Sequence, residues 1–168
     1  MRHTPFTVSV AGLRRSTGSR RHERCQGPIA GLVVSSSAVP ADADVAVDVV
    51  LESVPGAVIA RGTVSAPWRG SCRRCLEEAT GQVRAEVREV FEDDPDPEQT
   101  YPLLGDQLDL EPMARDAVLL ELPLAPLCRE GCRGLCPSCG ATLNDGDCGC
   151  RHEEKEPRWA ALDALRDL

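Results

Sequence analysis

The chain has 168 residues, of which 42% are hydrophobic and only 3% aromatic, so we expect one core built from valine, leucine and alanine with a small appendage. No apolar run is long enough to span a bilayer. The apolar residues near the N-terminus alternate with polar ones and run into two arginines, so no secretion signal is expected. These features predict a soluble chain in the reducing cytoplasm.

Charge is distributed unevenly along the chain. The formal net charge is −8, yet residues 1–25 carry six arginines and a single glutamate. The remaining residues are therefore strongly acidic, and an acidic body repels nucleic acid at long range. Any RNA contact is expected to be local and to come from the arginine-rich arm, for which a flexible, solvated tail is the equal alternative.

Near the N-terminus the pattern predicts strands separated by a loop. Residues 7–13 alternate well enough for an edge strand. Residues 16–27 are rich in glycine, serine and arginine, which predicts a mobile loop, and residues 29–35 are expected to form another strand.

A hairpin and a further strand are predicted in the middle of the chain. Valines and a leucine alternate with polar residues over 45–52, and a Pro-Gly turn precedes residues 57–66, which pair back. Residues 81–91 are expected to form the next half-buried strand. Its inward-facing residues are Val83, Ala85 and Val87.

An acidic connector and one helix follow. Residues 92–100 are acidic and interrupted by two prolines, so we expect an exposed and mobile segment without regular structure. Asp109 then caps a helix that ends before Pro123. Its apolar residues at helical spacing are Leu110, Met113, Ala117 and Leu120. Together these elements predict an α+β fold, an antiparallel sheet or partial barrel with one packed helix.

We divide the chain into three parts. Residues 1–27 form the arginine-rich, partly flexible arm, residues 28–127 the α+β core with a metal-binding hairpin tip, and residues 128–168 a zinc-ribbon-like tail. The tail ends in a short amphipathic helix that begins at Pro157. Its apolar stripe is expected to pack onto the domain, with a partner-binding helix as the alternative. The stripe consists of Trp159, Leu162 and Leu165.

The cysteines are the most informative feature. Eight of nine fall into four close pairs, and Cys25 is left over. In the cytosol such pairs favour metal binding or redox chemistry over disulfides, and four thiolates close one tetrahedral zinc site. The paired residues are Cys72, Cys75, Cys128, Cys132, Cys136, Cys139, Cys148 and Cys150.

Two assignments of these cysteines fit the spacing. The first is one site in the tail, formed by Cys128, Cys136, Cys139 and Cys150. The second, which we prefer because it leaves no clustered thiol unused, has two sites. In it the hairpin-tip pair joins Cys128 and Cys132, and the last four cysteines form the other site. All-cysteine sites have no open coordination position, so we expect both to be structural and to bind zinc, although iron stays open.

No catalytic constellation accompanies these cysteines. The chain has three histidines and lacks the order of a hydrolase elbow, a phosphate loop or a dinucleotide fingerprint, so we predict that it is not an enzyme. A redox pair at Cys72 and Cys75, with thiol pKa values lowered by Arg73 and Arg74, is the weaker alternative. It lacks the strand-to-helix context of thioredoxin-like proteins.

Several ordered blocks of this sequence resemble the YceD family, the large ribosomal RNA subunit accumulation proteins. The resemblance spans roughly residues 45–165. The blocks are Cys-Arg-Arg-Cys-Leu-Glu at 72–77, Asp-Leu at 109–110 with the helix to Leu-Pro-Leu at 122–124, Leu-Cys at 127–128, the run 132–140, Leu-Asn at 143–144, and Pro-Arg-Trp-Ala-Ala-Leu at 157–162.

The resemblance implies a non-enzymatic role in the accumulation of large-subunit ribosomal RNA in bacteria and plastids. The resemblance also implies that members without the tail knuckle keep a pair like Cys72 and Cys75 and a histidine or cysteine near the positions of Cys128 and Cys132, which fits the two-site assignment. We therefore predict a zinc-rigidified platform that contacts large-subunit ribosomal RNA or ribosomal proteins, without a membrane or a small-molecule substrate. A protein-only adaptor is the alternative.

Arginines are the expected phosphate contacts of this platform. Arg73, Arg74 and Arg133 lie beside cysteines in the sequence. The acidic connector is expected to meet basic ribosomal proteins. The candidate nucleic-acid-binding residues are Arg14, Arg15, Arg20, Arg21, Arg24, Arg73 and Arg74. For the last two, charge balance of a thiolate cluster is the alternative role.

Overall fold

A computed structural model describes residues 4–150, which form eight strands and two helices. Two long strands dominate, because β5 and β6 have 15 residues each. The elements in chain order are β1 (Thr7–Ser9), α1 (Ala11–Arg14), β2 (Arg20–Gly27), β3 (Ser37–Ala38), β4 (Val45–Val54), β5 (Ala57–Ser71), β6 (Glu78–Glu92), β7 (Tyr101–Leu104), β8 (Gln107–Asp109) and α2 (Glu111–Glu121).

All strands belong to one curled sheet that forms half a barrel, with the order β1-β8-β7-β6-β5-β4-β2 and β3 beside β5. The α+β class and the partial barrel are confirmed, and the antiparallel sheet is confirmed in part, because one strand pair is parallel. β7 runs parallel to the end of β6, with Phe91 opposite Tyr101. The acidic connector causes this arrangement, because it folds into a turn that returns the chain beside Phe91 instead of reversing it as a hairpin would.

The core lies on the concave side of the sheet and is closed by α2. The alternating valines and Leu51 of β4 are buried, as are Val83, Ala85 and Val87 of β6, so both predicted inward faces are confirmed. Phe6, Phe91 and Leu108 are the larger side chains that fill the interior. Apart from Glu89, the charged residues of β4, β5 and β6 are consequently left on the opposite, solvent-exposed face.

The predicted loop over residues 16–27 is wrong for Arg20–Gly27, which is strand β2 and pairs along its whole length with β4. The sequence shows no apolar alternation there because polar residues point to both sides of the strand. Cross-strand ion pairs contribute to the pairing instead, from Arg20 to Glu52 and from Arg24 to Asp48.

Three smaller predictions also differ from the structure. Residues 29–35 are a loop, since Gly31 adopts a left-handed conformation with φ of 76°. The edge strand predicted over 7–13 ends at Ser9 and is followed by α1. In α2 the packed face is formed by Met113, Ala114 and Val118, whereas Leu120 is 86% exposed at its margin.

The remaining segments fit the sequence in part. Most residues between Glu92 and Thr100 are exposed, as predicted for the acidic connector. The amphipathic helix predicted from Pro157 lies outside the described residues. Neither helix of residues 4–150 has the length and apolar character that crossing a bilayer requires.

Candidate metal centre

The tip of the β5–β6 hairpin positions the first pair of cysteines. β5 ends at Ser71 and β6 begins at Glu78, and the Cys72 amide donates to the Glu77 carbonyl oxygen at 2.8 Å. Within this loop the Leu76 amide donates to the Cys72 carbonyl oxygen at 2.9 Å, and Leu76 has a φ of 64°. The loop is therefore a tight knuckle, in which both sulfurs of the Cys-Arg-Arg-Cys run lie close together.

Four sulfur atoms meet at this knuckle. The Sγ atoms of Cys72, Cys75, Cys128 and Cys132 all lie within 4.8 Å of one another. Cys72 Sγ is 3.8 Å from Cys132 Sγ, and Cys75 Sγ is 3.5 Å from Cys128 Sγ. A tetrahedron with Zn–S bonds of about 2.3 Å has S–S edges of about 3.8 Å, whereas a disulfide bond is about 2.05 Å. These sulfurs thus have the spacing of a four-thiolate metal site, and we call them the first quartet.

The first quartet sits in a small core of its own. Cys72, Cys75 and Cys132 are buried together with Ala79, and Leu127 and Leu135 pack against them. Trp68 packs against both this cluster and the main core, so it joins the two. Gly81 makes room for its indole ring, because a Cβ on Gly81 would lie 2.9 Å from the ring atoms.

N–H groups directed at the sulfurs favour the thiolate form of two members of the first quartet. Burial alone would raise the pKa of Cys72, but the backbone N–H groups of Cys75, Cys128 and Arg74 lower it to about 6. Burial likewise opposes ionisation of Cys132, whereas the Asn144 side-chain amide, which donates to Sγ at 3.5 Å, helps to lower its pKa.

The other two thiols of the first quartet behave in the opposite way. Burial raises the pKa of Cys75 to about 12, and the pKa of Cys128 is also raised. Four thiolates at this spacing repel one another, so the full set ionises only when a cation offsets their charge.

A second quartet forms within the tail, from Cys136, Cys139, Cys148 and Cys150, with all Sγ atoms within 4.8 Å of one another. Its knuckle repeats the first, because the Gly140 amide donates to the Cys136 carbonyl oxygen at 2.8 Å and Gly140 has a φ of 74°. Backbone N–H groups of Cys139 and Ser138 lower the pKa of Cys136 to about 6. The side chains of Cys139 and Cys148 raise the pKa of Cys150 to about 12.

Asn144 connects the two quartets. Its side-chain oxygen accepts from the Arg133 amide at 2.8 Å, while its side-chain nitrogen donates to Cys132 Sγ. Gly134, between Cys132 and Cys136, has a φ of 79°, and a Cβ there would stand 3.0 Å from the Arg74 carbonyl oxygen. The tail therefore approaches the hairpin knuckle through backbone contacts as well as sulfur.

The structure brings the cysteines together in the grouping of the two-site assignment. The single tail site that combined Cys128 with Cys136, Cys139 and Cys150 does not match it, because Cys128 lies in the other quartet. Cys25 belongs to neither quartet and is half-buried against the main core. Burial, followed by the charges of Glu23 and Asp109, raises its pKa to about 11.

The candidate nucleic-acid-binding arginines are scattered, and four of them bind carboxylates. Arg14 pairs with Asp93, Arg20 with Glu52, Arg21 with Glu23 and Arg24 with Asp48. Arg74 donates to the Cys132 carbonyl oxygen at 2.7 Å, which fixes the tail against the knuckle. Arg15 and Arg73 are exposed and form no ion pair within residues 4–150.

Three residues with a part in the site escaped sequence reasoning, namely Trp68, Asn144 and Gly134. The Asn-Asp-Gly run at 144–146 is typical of a turn, and nothing in the sequence shows that its first residue reaches a sulfur in the other quartet. A signal existed for Gly134, because a glycine between two cysteine pairs often marks a left-handed backbone position.

Comparisons with known proteins found sequence relatives that cover most of the chain. The profile described as "Large ribosomal RNA subunit accumulation protein YceD" matches residues 60–166. Uncharacterized proteins of Mycobacterium tuberculosis and Mycobacterium bovis are each 36% identical over 168 residues, covering 95% of this chain and 80% of theirs.

A shorter match covers part of a plant protein. The Arabidopsis thaliana protein named "Large ribosomal RNA subunit accumulation protein YCED homolog 1, chloroplastic" is 38% identical over 61 residues, 36% of this chain and 19% of that one. No solved structure matches the chain significantly.

Proposed function

Because the chain belongs to the YceD family, we propose that it is a non-enzymatic factor that supports accumulation of large-subunit ribosomal RNA during assembly of the large ribosomal subunit. One observation carries this proposal. The family match over residues 60–166 includes all eight cysteines of the two quartets. The part of the chain that matches the family therefore contains both candidate metal sites.

In this proposal each quartet binds one zinc ion. The S–S distances of 3.5 and 3.8 Å in the first quartet suit the tetrahedral geometry and bond length of zinc, and thiolates are the soft ligands that zinc accepts. Since four thiolates leave no position for substrate, the ions hold the hairpin knuckle and the tail in one shape and take no part in catalysis.

The proposed partners are large-subunit ribosomal RNA and ribosomal proteins, met in the cytoplasm without a membrane or a small-molecule substrate. The acidic connector between Glu92 and Thr100 is exposed and suits basic ribosomal proteins. Arg73 projects from the zinc knuckle without a carboxylate partner in the described part of the chain, which suits a phosphate contact.

Depletion of the protein in its own cells tests this function. We expect the ratio of large-subunit to small-subunit ribosomal RNA to fall, and the tagged protein to sediment with precursors of the large subunit. The wild type and Cys25→Ser should restore the ratio, whereas Cys72→Ser should not, because it removes a ligand of the first quartet.

An unchanged ratio after depletion would contradict the proposal. Association with a ribosomal protein that survives nuclease treatment, without an RNA defect, would favour a protein-only adaptor instead. Turnover of a dithiol substrate by the metal-free protein, lost in Cys72→Ser, would favour a redox protein.

A further inference from the structure

The solvent-exposed face of the sheet is the basic side of an acidic protein. We define the outer face as the residues of β2, β4, β5 and β6 that point away from the core, within the stretch of β4, β5 and β6 that lies level with β2. The strand registers place Arg20, Arg24, Arg61, Arg84 and Arg88 there against Asp48, Glu52 and Glu86. This local excess of positive charge contrasts with a formal net charge of −8 for the chain.

Two arginines of the outer face oppose each other directly. Arg61 of β5 is the cross-strand partner of Arg88 of β6, and both are exposed. Like charges in this position lie about 5 Å apart at Cβ and destabilise a sheet. Among residues 4–150 neither arginine forms an ion pair, although Arg20 and Arg24 on the same face both do. The chain therefore keeps a repulsive pair that an anion would relieve.

The pair lines a depression in the outer face with a volume of about 370 Å³. Its other lining residues are Arg20, Val50, Glu52 and Ile59. The single carboxylate among them, Glu52, is already bound by Arg20. Its negative charge is thus offset, and an anionic group in the depression meets two free guanidinium groups. Guanidinium groups bind phosphate oxygens in a bidentate geometry.

We propose that Arg61 and Arg88 form a binding site for the phosphodiester backbone of RNA. The proposal deepens the function proposed above and rests on it, because it names the surface through which the factor contacts RNA. A protein partner is disfavoured by composition. Only two of the six residues that line the depression, Val50 and Ile59, are apolar, whereas the buried centre of most protein interfaces is mainly apolar.

Salt dependence of RNA binding tests the site. Binding of the zinc-loaded full chain to an unstructured single-stranded RNA is measured by fluorescence anisotropy over a series of salt concentrations. The slope of log K against log salt is negative, and each lost phosphate contact reduces its magnitude by about 0.7. We expect this change for Arg61→Gln and for Arg88→Gln, and about 1.4 for the double variant.

Arg69→Gln is the matched control. Arg69 is exposed, lies on the same strand and points to the same side, but it is eight residues, roughly 27 Å, along β5 from Arg61. Its substitution removes the same charge and should leave the slope unchanged. An equal loss in Arg69→Gln would overturn the site, because the net charge alone would then explain binding.

Thermal stability supplies a second readout. Since the arginine pair is repulsive, the double variant should melt at or above the temperature of the wild type while it binds RNA more weakly. A lower melting temperature would overturn the argument from repulsion. Displacement of RNA from the wild type by polyglutamate at equal charge concentration would also overturn it, in favour of an acidic protein segment.

Failure of this inference is distinguishable from failure of the proposed function. If the double variant sediments with large-subunit precursors as the wild type does and keeps its salt slope, the site falls and the function stands. If the wild type shows the expected slopes but depletion leaves the ribosomal RNA ratio unchanged, the function falls and the RNA site stands.

Discussion

The sheet and the cysteine-containing segments differ in what holds them together. Residues 4–71 and 78–122, the sheet body, enclose a core of 24 buried residues among those described. Residues 72–77 and 123–150, the cysteine region, contain no strand or helix and bury little beyond sulfur. Apolar burial can therefore stabilise the sheet body, whereas in the proposed function the cysteine region depends on metal ligation.

Removal of the metal should produce the largest difference in stability between the two regions. Structural zinc contributes on the order of 10–16 kcal/mol in small peptides, more than the cysteine region can replace by burial. We expect a chelator to abolish hydrogen-exchange protection in residues 123–150 while β4, β5 and β6 keep theirs. Re-addition of zinc is the control. A cysteine region that stays protected in a sample shown to be metal-free would contradict the comparison.

Loss of one ligand should have a smaller effect that depends on the quartet. Cys72→Ser removes a ligand of the first quartet, so the number of bound metal ions should fall from two to one and protease should cleave between residues 123 and 135. Cys139→Ser should also leave one ion but confine cleavage to the tail beyond Gly134. Native mass spectrometry and limited proteolysis measure both, and Cys25→Ser should retain two ions. Equal cleavage maps for both variants would contradict this prediction, because they would show that the two sites unfold as one unit.

A substitution that strains the backbone between the quartets should destabilise the cysteine region less than the loss of a cysteine ligand does. Gly134→Ala places a side chain in a left-handed conformation and against the Arg74 carbonyl oxygen, which should destabilise the cysteine region by about 1–3 kcal/mol. Gly131→Ala is the control, since its Cβ would meet nothing within 4 Å. Hydrogen exchange of residues 123–150 measures the difference. Equal effects of the two substitutions would show that the close approach is unimportant.

The smallest expected effect is a gain in the stability of the first site. Leu76 occupies the left-handed position that Gly140 occupies in the other knuckle, and it is 69% exposed. Leu76→Gly should raise the stability of the first site by less than about 1 kcal/mol, because the added freedom of the unfolded chain offsets part of the relieved strain. Leu124→Gly, at a similarly exposed residue without positive φ, should give no gain. Chelator competition at equilibrium compares the variants.

Local patterns predicted much of the sheet body. Alternating valines identified β4, and the apolar face of β6 followed from the same rule, because a strand with one buried side shows its period in the sequence. Strand β2 was missed since polar residues point to both of its sides, and the parallel contact of β7 was missed since it depends on the path of the acidic connector. Both features are tertiary, and neither leaves a periodic signal in its own segment.

The ligands of the candidate site could be predicted, because they come in close pairs. The residues that contact these ligands from other parts of the sequence could not. Cysteine spacing and the count of four thiolates per ion favoured the two quartets. Asn144 and Trp68 gave no comparable signal, because their roles arise only once the tail folds onto the hairpin. Burial of Leu120 was predicted wrongly since helical spacing identifies a face but not how far the neighbouring sheet extends along it.

In the proposed function, the separation of the ligands along the chain sets the order in which the two ions bind. Cys75 and Cys128 are 53 positions apart, whereas Cys139 and Cys148 are nine apart. Closing the longer loop costs about 1.6 kcal/mol more chain entropy unless the sheet has already brought its ends together. During synthesis the short loop is thus ready for its ion on its own, while the long one must wait for the strands. The ion that fastens the tail to the sheet is then the one whose uptake reports that the sheet has folded.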